Sequence, residues 1–267
     1  MSTDRQSSLV KITELENGIF KIILSDPSHQ NTLSEKMIDE LQSAFDHFNS
    51  SPSRVIILSS TGKVFSAGHD LKELKAARSH PDKGKEYFQS ILKKCSRLMQ
   101  TIVNHSKPVI AQVDGVATAA GCQLALSCDL VYASSNSRFA TPGVNIGLFC
   151  STPMVALSRN TTSKHSMEML LTGELISADE AEKKGLVNKS VNEEELENLI
   201  LEKATKISSK PGTTLKIGKK AFYQQIEMPL DEAYEYASKV MLENMLDQDA
   251  KEGIEAFLEK RSPNWKE

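Results

Sequence analysis

The sequence predicts an α/β fold, and three observations lead to this prediction. Short runs of apolar residues alternate with longer stretches of helical apolar periodicity, which is typical of strands joined by helices. The 267 residues include 39% hydrophobic and 25% charged residues, a composition that supports a buried core. Beyond residue 150 the pattern becomes helical, so a helical region is expected after the α/β core.

The first part of the chain establishes a strand, helix, strand order. Residues 20–24 and 55–58 are apolar runs that predict strands, and helical spacing at about 34–48 predicts the helix between them. A second helix is predicted at about 87–103. Pro108 then opens the apolar run 109–113, which predicts another strand.

A short helix and a strand at 130–133 complete this alternation, so we expect the strands to lie before residue 150. Ser177 and Glu180 have the spacing of a capping box, which predicts the start of a helix. Gly185 is placed to end that helix.

The C-terminal part is predicted to be helical from residue 192 to residue 260, with breaks at Pro211 and Pro229. We therefore expect an α/β core at residues 1–195 and a helical region at residues 196–267.

Composition excludes several classes of partner. The net charge is −3, with 32 Lys and Arg against 35 Asp and Glu, so no basic excess favours nucleic acid. The four cysteines show neither CxxC spacing nor a zinc pattern, so we expect no metal site and a reducing compartment. No apolar run approaches the roughly 20 residues that cross a bilayer, so no membrane partner is expected.

Familiar catalytic motifs, namely GxGxxG after the first strand, GxxxxGK[ST], GxSxG and HExxH, do not occur in the sequence. Two glycine-bearing turns occur instead, at residues 62–71 and 114–122. Small residues let backbone N–H groups approach a ligand, so two such turns facing each other would form a pocket for an oxyanion. In the simpler interpretation, Gly68 and Gly121 only permit tight turns and close packing.

Several segments resemble the enoyl-CoA hydratase/isomerase (crotonase) family. The most specific are residues 107–111, 121–125 and 128–130, and further segments match in the same order at 31–34, 65–71, 171–173 and 177–187. The resemblance implies a spiral of ββα repeats with a helical C-terminal trimerisation region, assembled as a homotrimer or homohexamer. It also implies acyl-CoA as the ligand, with coenzyme A carried by the substrate and no permanently bound cofactor.

By this resemblance, the backbone N–H groups of His69 and Ala120 hold the thioester oxygen, which stabilises an enolate. Ala119 and Ala120 stand where hydratases usually carry Gly. The resemblance also implies a set of residues that contact coenzyme A: His29 and Gln30 beside the adenosine, Lys72 near the phosphates, and Phe257 and Lys260 from a neighbouring subunit.

The sequence departs from the hydratases at both catalytic carboxylates. The matching positions are Gln123 and Gly143, and neither residue can transfer a proton through a side-chain carboxylate. Standard enoyl-CoA hydratase activity is therefore expected to be weak or absent. A loop after Pro142 is expected to let residue 143 face the oxyanion turn across the pocket.

Other groups near these positions have competing interpretations. The His69 imidazole is the strongest candidate for proton transfer, against a side chain that faces outward or towards the adenosine. Cys150 and Ser151 lie where other members place catalytic groups, yet loop packing is the simpler interpretation. Asp70 is expected to cap a helix, and Asp129 to fix a turn.

Two hypotheses remain from the sequence. The chain is an acyl-CoA enzyme of lipid metabolism, with a reaction such as decarboxylation to an enolate, or a non-catalytic CoA-thioester-binding regulator or scaffold. The mitochondrial matrix is the expected compartment, with a removed N-terminal segment, and the cytoplasm is the alternative.

Overall fold

The computed structural model describes residues 8–266. The first part of the described chain forms these elements: β1 (Val10–Glu14), β2 (Ile19–Leu24), α1 (Glu35–Asn49), β3 (Val55–Ser60), β4 (Val64–Ser66), α2 (Leu71–Ala77), α3 (Lys85–Val103), β5 (Val109–Val113), β6 (Val116–Thr118), α4 (Ala120–Leu126), β7 (Leu130–Ser134) and β8 (Arg138–Ala140). The remainder forms α5 (Pro153–Asn160), α6 (Ser163–Thr172), β9 (Ile176–Ser177), α7 (Ala178–Lys183), β10 (Lys189–Val191), α8 (Glu193–Ser208), α9 (Gly212–Gln225), α10 (Leu230–Met245) and α11 (Gln248–Glu259).

The strands form two sheets, and successive pairs of strands contribute one strand to each sheet. The six-stranded sheet has the order β1-β2-β3-β5-β7-β10, and the four-stranded sheet has the order β4-β6-β8-β9. In each of the pairs β3–β4, β5–β6 and β7–β8, the first strand enters the large sheet and the second enters the small one. Helices follow these pairs, so the chain advances as the predicted spiral of ββα repeats.

The predicted strands and long helices are present within a residue or two of their expected limits, but the extent of the sheets was wrong. Strands β9 and β10 lie after residue 150. Strand β10 has three residues and pairs in parallel with β7 through Lys189 and Tyr132, which are distant in sequence. A strand this short has no readable periodicity, so only its long-range pairing defines it.

Burial explains the central strands and the first long helix. Strand β3 is parallel to both neighbours, and four of its apolar residues are fully buried, as expected when both faces of a sheet are covered. Helix α1 begins at the Ser34 cap, whose hydroxyl accepts the Met37 N–H at 3.2 Å. Its apolar face, including Phe45 and Phe48, is buried in the main core.

Helix α8 covers the opposite face of the large sheet. Its residues Leu196, Ile200 and Ala204 are buried in a second apolar cluster with Ile57 and Ile110 of the sheet. The expected boundary at residue 195 therefore falls inside a helix that packs on the core. The helix breaks at Pro211 and Pro229 are confirmed, because each proline caps the helix that follows it.

An ion pair that is largely shielded from solvent attaches helix α9 to the core. The Asp129 carboxylate accepts hydrogen bonds from the Val109 N–H at 2.7 Å, the Lys219 ammonium at 2.7 Å and the Tyr223 hydroxyl at 3.0 Å. Lys219 also donates to the carbonyls of Ile102 and Lys107, each at 3.1 Å. Asp129 thus fixes more than the predicted turn, because it joins the starts of β5 and β7 to the C-terminal helices.

Burial lowers the pKa of Lys219, while the neighbouring Asp129 opposes that shift. Lys219 and Asp129 are both largely shielded from water. If one of them is removed, the other still bears the free-energy cost of desolvation but loses the attraction that offset it.

Several possible sites are not found in the part of the chain that is described. No helix within residues 8–266 is long and apolar enough to cross a membrane. No group of three or more His, Cys, Asp or Glu side chains in this range is placed to hold a metal ion. All four cysteines are buried free thiols.

We expect Lys219→Met and Asp129→Asn each to lower the free energy of unfolding by about 3 kcal/mol, because each leaves a buried polar partner behind. The double variant should lose clearly less than the sum of the two. Urea unfolding at one protein concentration measures this. Lys239→Met, which breaks an exposed pair with Glu235, is the control and should cost under about 1 kcal/mol. Additive losses from the single variants would contradict the coupling.

Candidate active site

The two glycine-bearing turns are in direct contact in the structure. A Cβ atom added at Gly121 would lie 2.1 Å from the carbonyl oxygen of Ser66. A Cβ atom at Gly68, where φ is +86°, would lie 3.1 Å from the backbone nitrogen of Ala120. These glycines therefore do more than permit tight turns, because any side chain would push the backbones of the two turns apart.

The backbone before α4 is strained where the turns meet. Ala119 has φ 49° and ψ −121°, a region that residues with a Cβ rarely adopt. Its N–H donates to the Ala140 carbonyl at 3.0 Å, so β8 holds this turn in place. Strain of this kind costs about 1–3 kcal/mol and is found mainly at functional sites.

The structure turns the His69 side chain inward. Residues 33 and 69 form a parallel β-bridge, and the Leu33 N–H donates to the Gly68 carbonyl at 2.8 Å. The Nδ1 atom of His69 lies 3.3 Å from the Leu33 carbonyl oxygen. The Nε2 atom is buried and has no hydrogen-bond partner in the described chain. Burial lowers the pKa of His69, although the Leu33 carbonyl and Glu73 raise it.

Two further polar side chains near this turn also lack protein partners. Gln123 is buried, and its backbone N–H bonds to the Ala119 carbonyl at 3.1 Å, one helical turn earlier. Thr141 is buried and directly follows Ala140, which accepts the Ala119 N–H. Within residues 8–266 the Gln123 Oε1 and Thr141 Oγ1 atoms have no hydrogen-bond partner. Thr141 could not be predicted from the sequence, because a lone threonine before a proline carries no signal of its own.

The sequence predicted that residue 143 faces the oxyanion turn, whereas in the structure a side chain at this position would meet its own loop. The Gly143 N–H points to the Cys150 sulfur at 3.3 Å, and its carbonyl accepts the Leu148 N–H at 2.9 Å. A Cβ atom at residue 143 would lie 2.5 Å from the Leu148 carbonyl oxygen and 2.9 Å from the Cys150 sulfur. The loop folds back on itself, so it leaves no room there for a larger side chain.

Cys150 and Ser151 have the surroundings of packing residues. Burial raises the pKa of the Cys150 thiol, which disfavours a nucleophilic thiolate. The Ser151 hydroxyl donates to the Phe149 carbonyl at 3.4 Å, an acceptor that cannot activate it as a nucleophile. Asp70 caps α2, as predicted, because its carboxylate accepts the Lys72 and Glu73 N–H groups.

The loop with His29 and Gln30 lies beside the first turn. The Ala67 N–H donates to the Gln30 carbonyl at 3.1 Å, and Lys72 is exposed in the helix that begins just after His69. His29 is also exposed, and its Nδ1 atom lies 2.8 Å from an Asp26 carboxylate oxygen. The structure thus brings three of the predicted CoA contacts to one rim of the site.

Asn31 holds this loop in position, a role that sequence analysis did not assign. It is fully buried, its Oδ1 atom accepts the Asp26 N–H at 2.8 Å, and its Nδ2 group donates to the Thr61 and Val64 carbonyls. The family-like segment 31–34 contained this residue, so its match was the available signal.

The structure does not bring Phe257 and Lys260 to the two turns within one chain. Phe257 is 83% exposed. The tail after α11 is tied back by the Trp265 indole N–H, which donates to the Ser209 carbonyl at the end of α8. Within residues 8–266, no hydrogen bond or ion pair joins Phe257 or Lys260 to His69 or Ala120.

Comparisons with known proteins agree with this architecture. Residues 14–267 match the family described as Enoyl-CoA hydratase/isomerase. A mouse protein named enoyl-CoA hydratase domain-containing protein 3, mitochondrial, is 49% identical over 254 residues, which are 95% of this chain and 83% of that protein.

Solved structures give the same result. An enoyl-CoA hydratase from Mycobacterium smegmatis superposes with a TM-score of 0.93 at 44% identity, covering 97% of this chain and 99% of that one. Human enoyl-CoA hydratase domain-containing protein 3 superposes with a TM-score of 0.91 at 48% identity, covering 96% and 100% of the two chains. The chain therefore belongs to the enoyl-CoA hydratase/isomerase family and has the crotonase fold.

Proposed function

We propose that this protein binds acyl-CoA thioesters and holds the thioester oxygen between the backbone N–H groups of His69 and Ala120. The single observation that carries the proposal is the close approach of the two glycine turns, where even a Cβ atom added at Gly68 would lie 3.1 Å from the Ala120 nitrogen. Donors fixed in advance stabilise the negative charge of a thioester enolate without reorganising. Coenzyme A is then part of the ligand, and no resident cofactor is needed.

The rim of the site supports the proposed position of coenzyme A. His29 and Gln30 would lie beside the adenosine. Lys72 is exposed and would lie near the phosphates. Phe257 and Lys260 would come from a neighbouring copy, because α11 is tied to the end of α8 in its own chain.

Binding is tested with Gly68→Ala, whose new methyl group would lie 3.1 Å from the Ala120 nitrogen and obstruct that donor. We expect the affinity for acetyl-CoA and crotonyl-CoA, measured by calorimetric titration, to fall at least about tenfold. The control is Gly185→Ala, because Gly185 has a similar φ of +81° and no contact closer than 3.5 Å. It carries the same backbone strain away from the site, so its affinity should not change. Equal affinity in both variants, or no binding by the unmodified protein, would refute the proposal.

The proposed chemistry excludes efficient hydration. Gln123 and Gly143 stand at the positions where hydratases carry two carboxylates, and an amide cannot accept the proton of a water molecule in their place. If the protein turns over substrate, we propose a lyase or decarboxylase type of reaction through a thioester enolate. The same lack of carboxylates favours the second candidate, a non-catalytic CoA-thioester-binding regulator or scaffold of lipid metabolism.

Hydration of crotonyl-CoA should be at background in the unmodified protein. Gln123→Glu should raise it by about tenfold or more, because a positioned base contributes about 10²–10⁴ in rate. Adding Gly143→Glu should give no further rate and should lower the unfolding midpoint, since a Cβ there would lie 2.5 Å from the Leu148 carbonyl oxygen. The loss of enoyl absorbance measures the rate, and Gln123→Met is the control without a carboxylate. Strong hydration by the unmodified protein would show that other groups catalyse it.

We also propose a homotrimer or homohexamer in the mitochondrial matrix. Helices α9 and α10 contain no buried residue within the chain, and they expose large apolar side chains, among them Leu230 and Tyr234 at 75% and 70%. Such a face needs a partner. Relatives named mitochondrial support the compartment, which imaging of the full-length product with a matrix marker would test.

Light scattering should therefore give a mass of three or six chains. Leu230→Glu with Tyr234→Glu should produce smaller species, because two carboxylates would be buried in the apolar contact. These species should also lose acyl-CoA affinity if Phe257 and Lys260 complete a neighbour's site. A monomer of the unmodified protein that still binds acyl-CoA would contradict this assembly.

A further inference from the structure

The hydrogen bonds of His69 define which ring nitrogen carries the proton. The Leu33 carbonyl oxygen can only accept, so the Nδ1 atom at 3.3 Å from it must be the N–H donor. Burial lowers the pKa of His69, which keeps the ring neutral near pH 7. A neutral imidazole with a proton on Nδ1 has a bare lone pair on Nε2.

This lone pair is in an unusual position. The Nε2 atom is buried and has no hydrogen-bond partner in the described chain. It belongs to the same residue whose backbone N–H is the first proposed oxyanion donor. The second donor, on Ala120, lies in the turn that contacts Gly68, the residue before His69.

The other unpartnered atoms near the turn match this arrangement. Gln123 Oε1 is an acceptor, and Thr141 Oγ1 is a hydroxyl, while neither carries a charge. Their helix and strand both meet at Ala119 through backbone hydrogen bonds. Together with His69 Nε2, the site offers one basic atom and two neutral polar atoms. A basic atom can remove a proton from a ligand, whereas none of the three atoms carries the positive charge that would bind a ligand carboxylate.

We propose that His69 Nε2 is the catalytic base that removes a proton from the carbon next to the thioester carbonyl. This inference rests on the proposed acyl-CoA function. In the step, the C–H bond breaks and its electron pair forms the enolate double bond, while the carbonyl π pair moves onto the oxygen held by the two N–H groups. The proton forms the Nε2–H bond of an imidazolium. In reverse, the imidazolium returns a proton to carbon, so substrate hydrogen exchanges with solvent.

Burial disfavours the imidazolium, and one neighbouring carboxylate partly offsets this effect. Glu73 is the charged group that acts on His69, and its carboxylate also accepts the Tyr87 hydroxyl at 2.8 Å and the Glu35 N–H at 3.0 Å. The Asp70 carboxylate is turned to the N–H groups that begin α2. Helix α4, which begins in the second turn, carries Gln123 and the buried thiol of Cys122, whose pKa is raised by burial.

The test is hydrogen–deuterium exchange at the methyl group of acetyl-CoA in D₂O, followed by NMR, with binding measured by titration in parallel. The unmodified protein should catalyse exchange. The rate should fall about tenfold for each pH unit below the pKa of His69, because a protonated ring cannot accept a proton. His69→Gln keeps the backbone N–H and should bind acetyl-CoA, but its exchange should be at least about 100-fold slower. His47→Gln, at an exposed histidine of α1, is the control and should exchange at the normal rate.

The outcomes separate this inference from the proposed function. No binding of acetyl-CoA by the unmodified protein would refute the proposed function. Binding without exchange, or equal exchange in His69→Gln, would overturn the role of His69 and leave the binding proposal standing. If His69→Gln does not fold, the pH profile of the unmodified protein decides, since a flat profile excludes a titrating base.

Discussion

The site depends on one close approach of two backbones. The Ser66 carbonyl lies where a Cβ of residue 121 would be, at 2.1 Å, so only glycine allows the first and second turns to meet. Gly68 lies against Ala120 in the same contact, and the neighbouring Ala119 has a strained conformation. Strain there is maintained because hydrogen bonds to β8 and within α4 fix the chain on either side. The two proposed oxyanion donors are backbone N–H groups of these turns.

A second constraint concerns the C-terminal helices. Helices α9 and α10 bury no residue within their own chain, so their attachment relies on few contacts. The Asp129 carboxylate supplies the main polar one, by joining Lys219 and Tyr223 to the start of strand β5. The pair ties α9 to the core, while α9 and α10 keep large apolar side chains exposed within the chain. The proposed assembly would use these exposed faces and leave the ion pair unchanged.

The polar groups of the candidate site differ from those that the family resemblance would lead one to expect, although the fold is the same. The fold is that of the family, whereas Gln123 and Gly143, which the sequence resemblance matches to the two carboxylates of hydratases, carry no carboxylate. The loop after Pro142 has closed around residue 143, with the Cys150 sulfur 2.9 Å from the position of a Cβ. What remains polar and unpartnered in this part of the described chain is His69 Nε2, Gln123 Oε1 and Thr141 Oγ1. A proton transfer by imidazole is consistent with that set.

The sequence alone determined the α/β class, the long helices and the helix breaks, because apolar periodicity, the Ser177 capping box and the prolines are local signals. It also predicted both glycine turns and the family. Tertiary structure alone decided the short strands such as β10, whose pairing with β7 is long-range. It likewise decided that the His69 ring is turned inward, because that depends on contact with Leu33, a residue far away in the chain. Residue 143 is enclosed because of how its own loop closes on Leu148 and Cys150. No periodicity in the sequence encodes either of these distances.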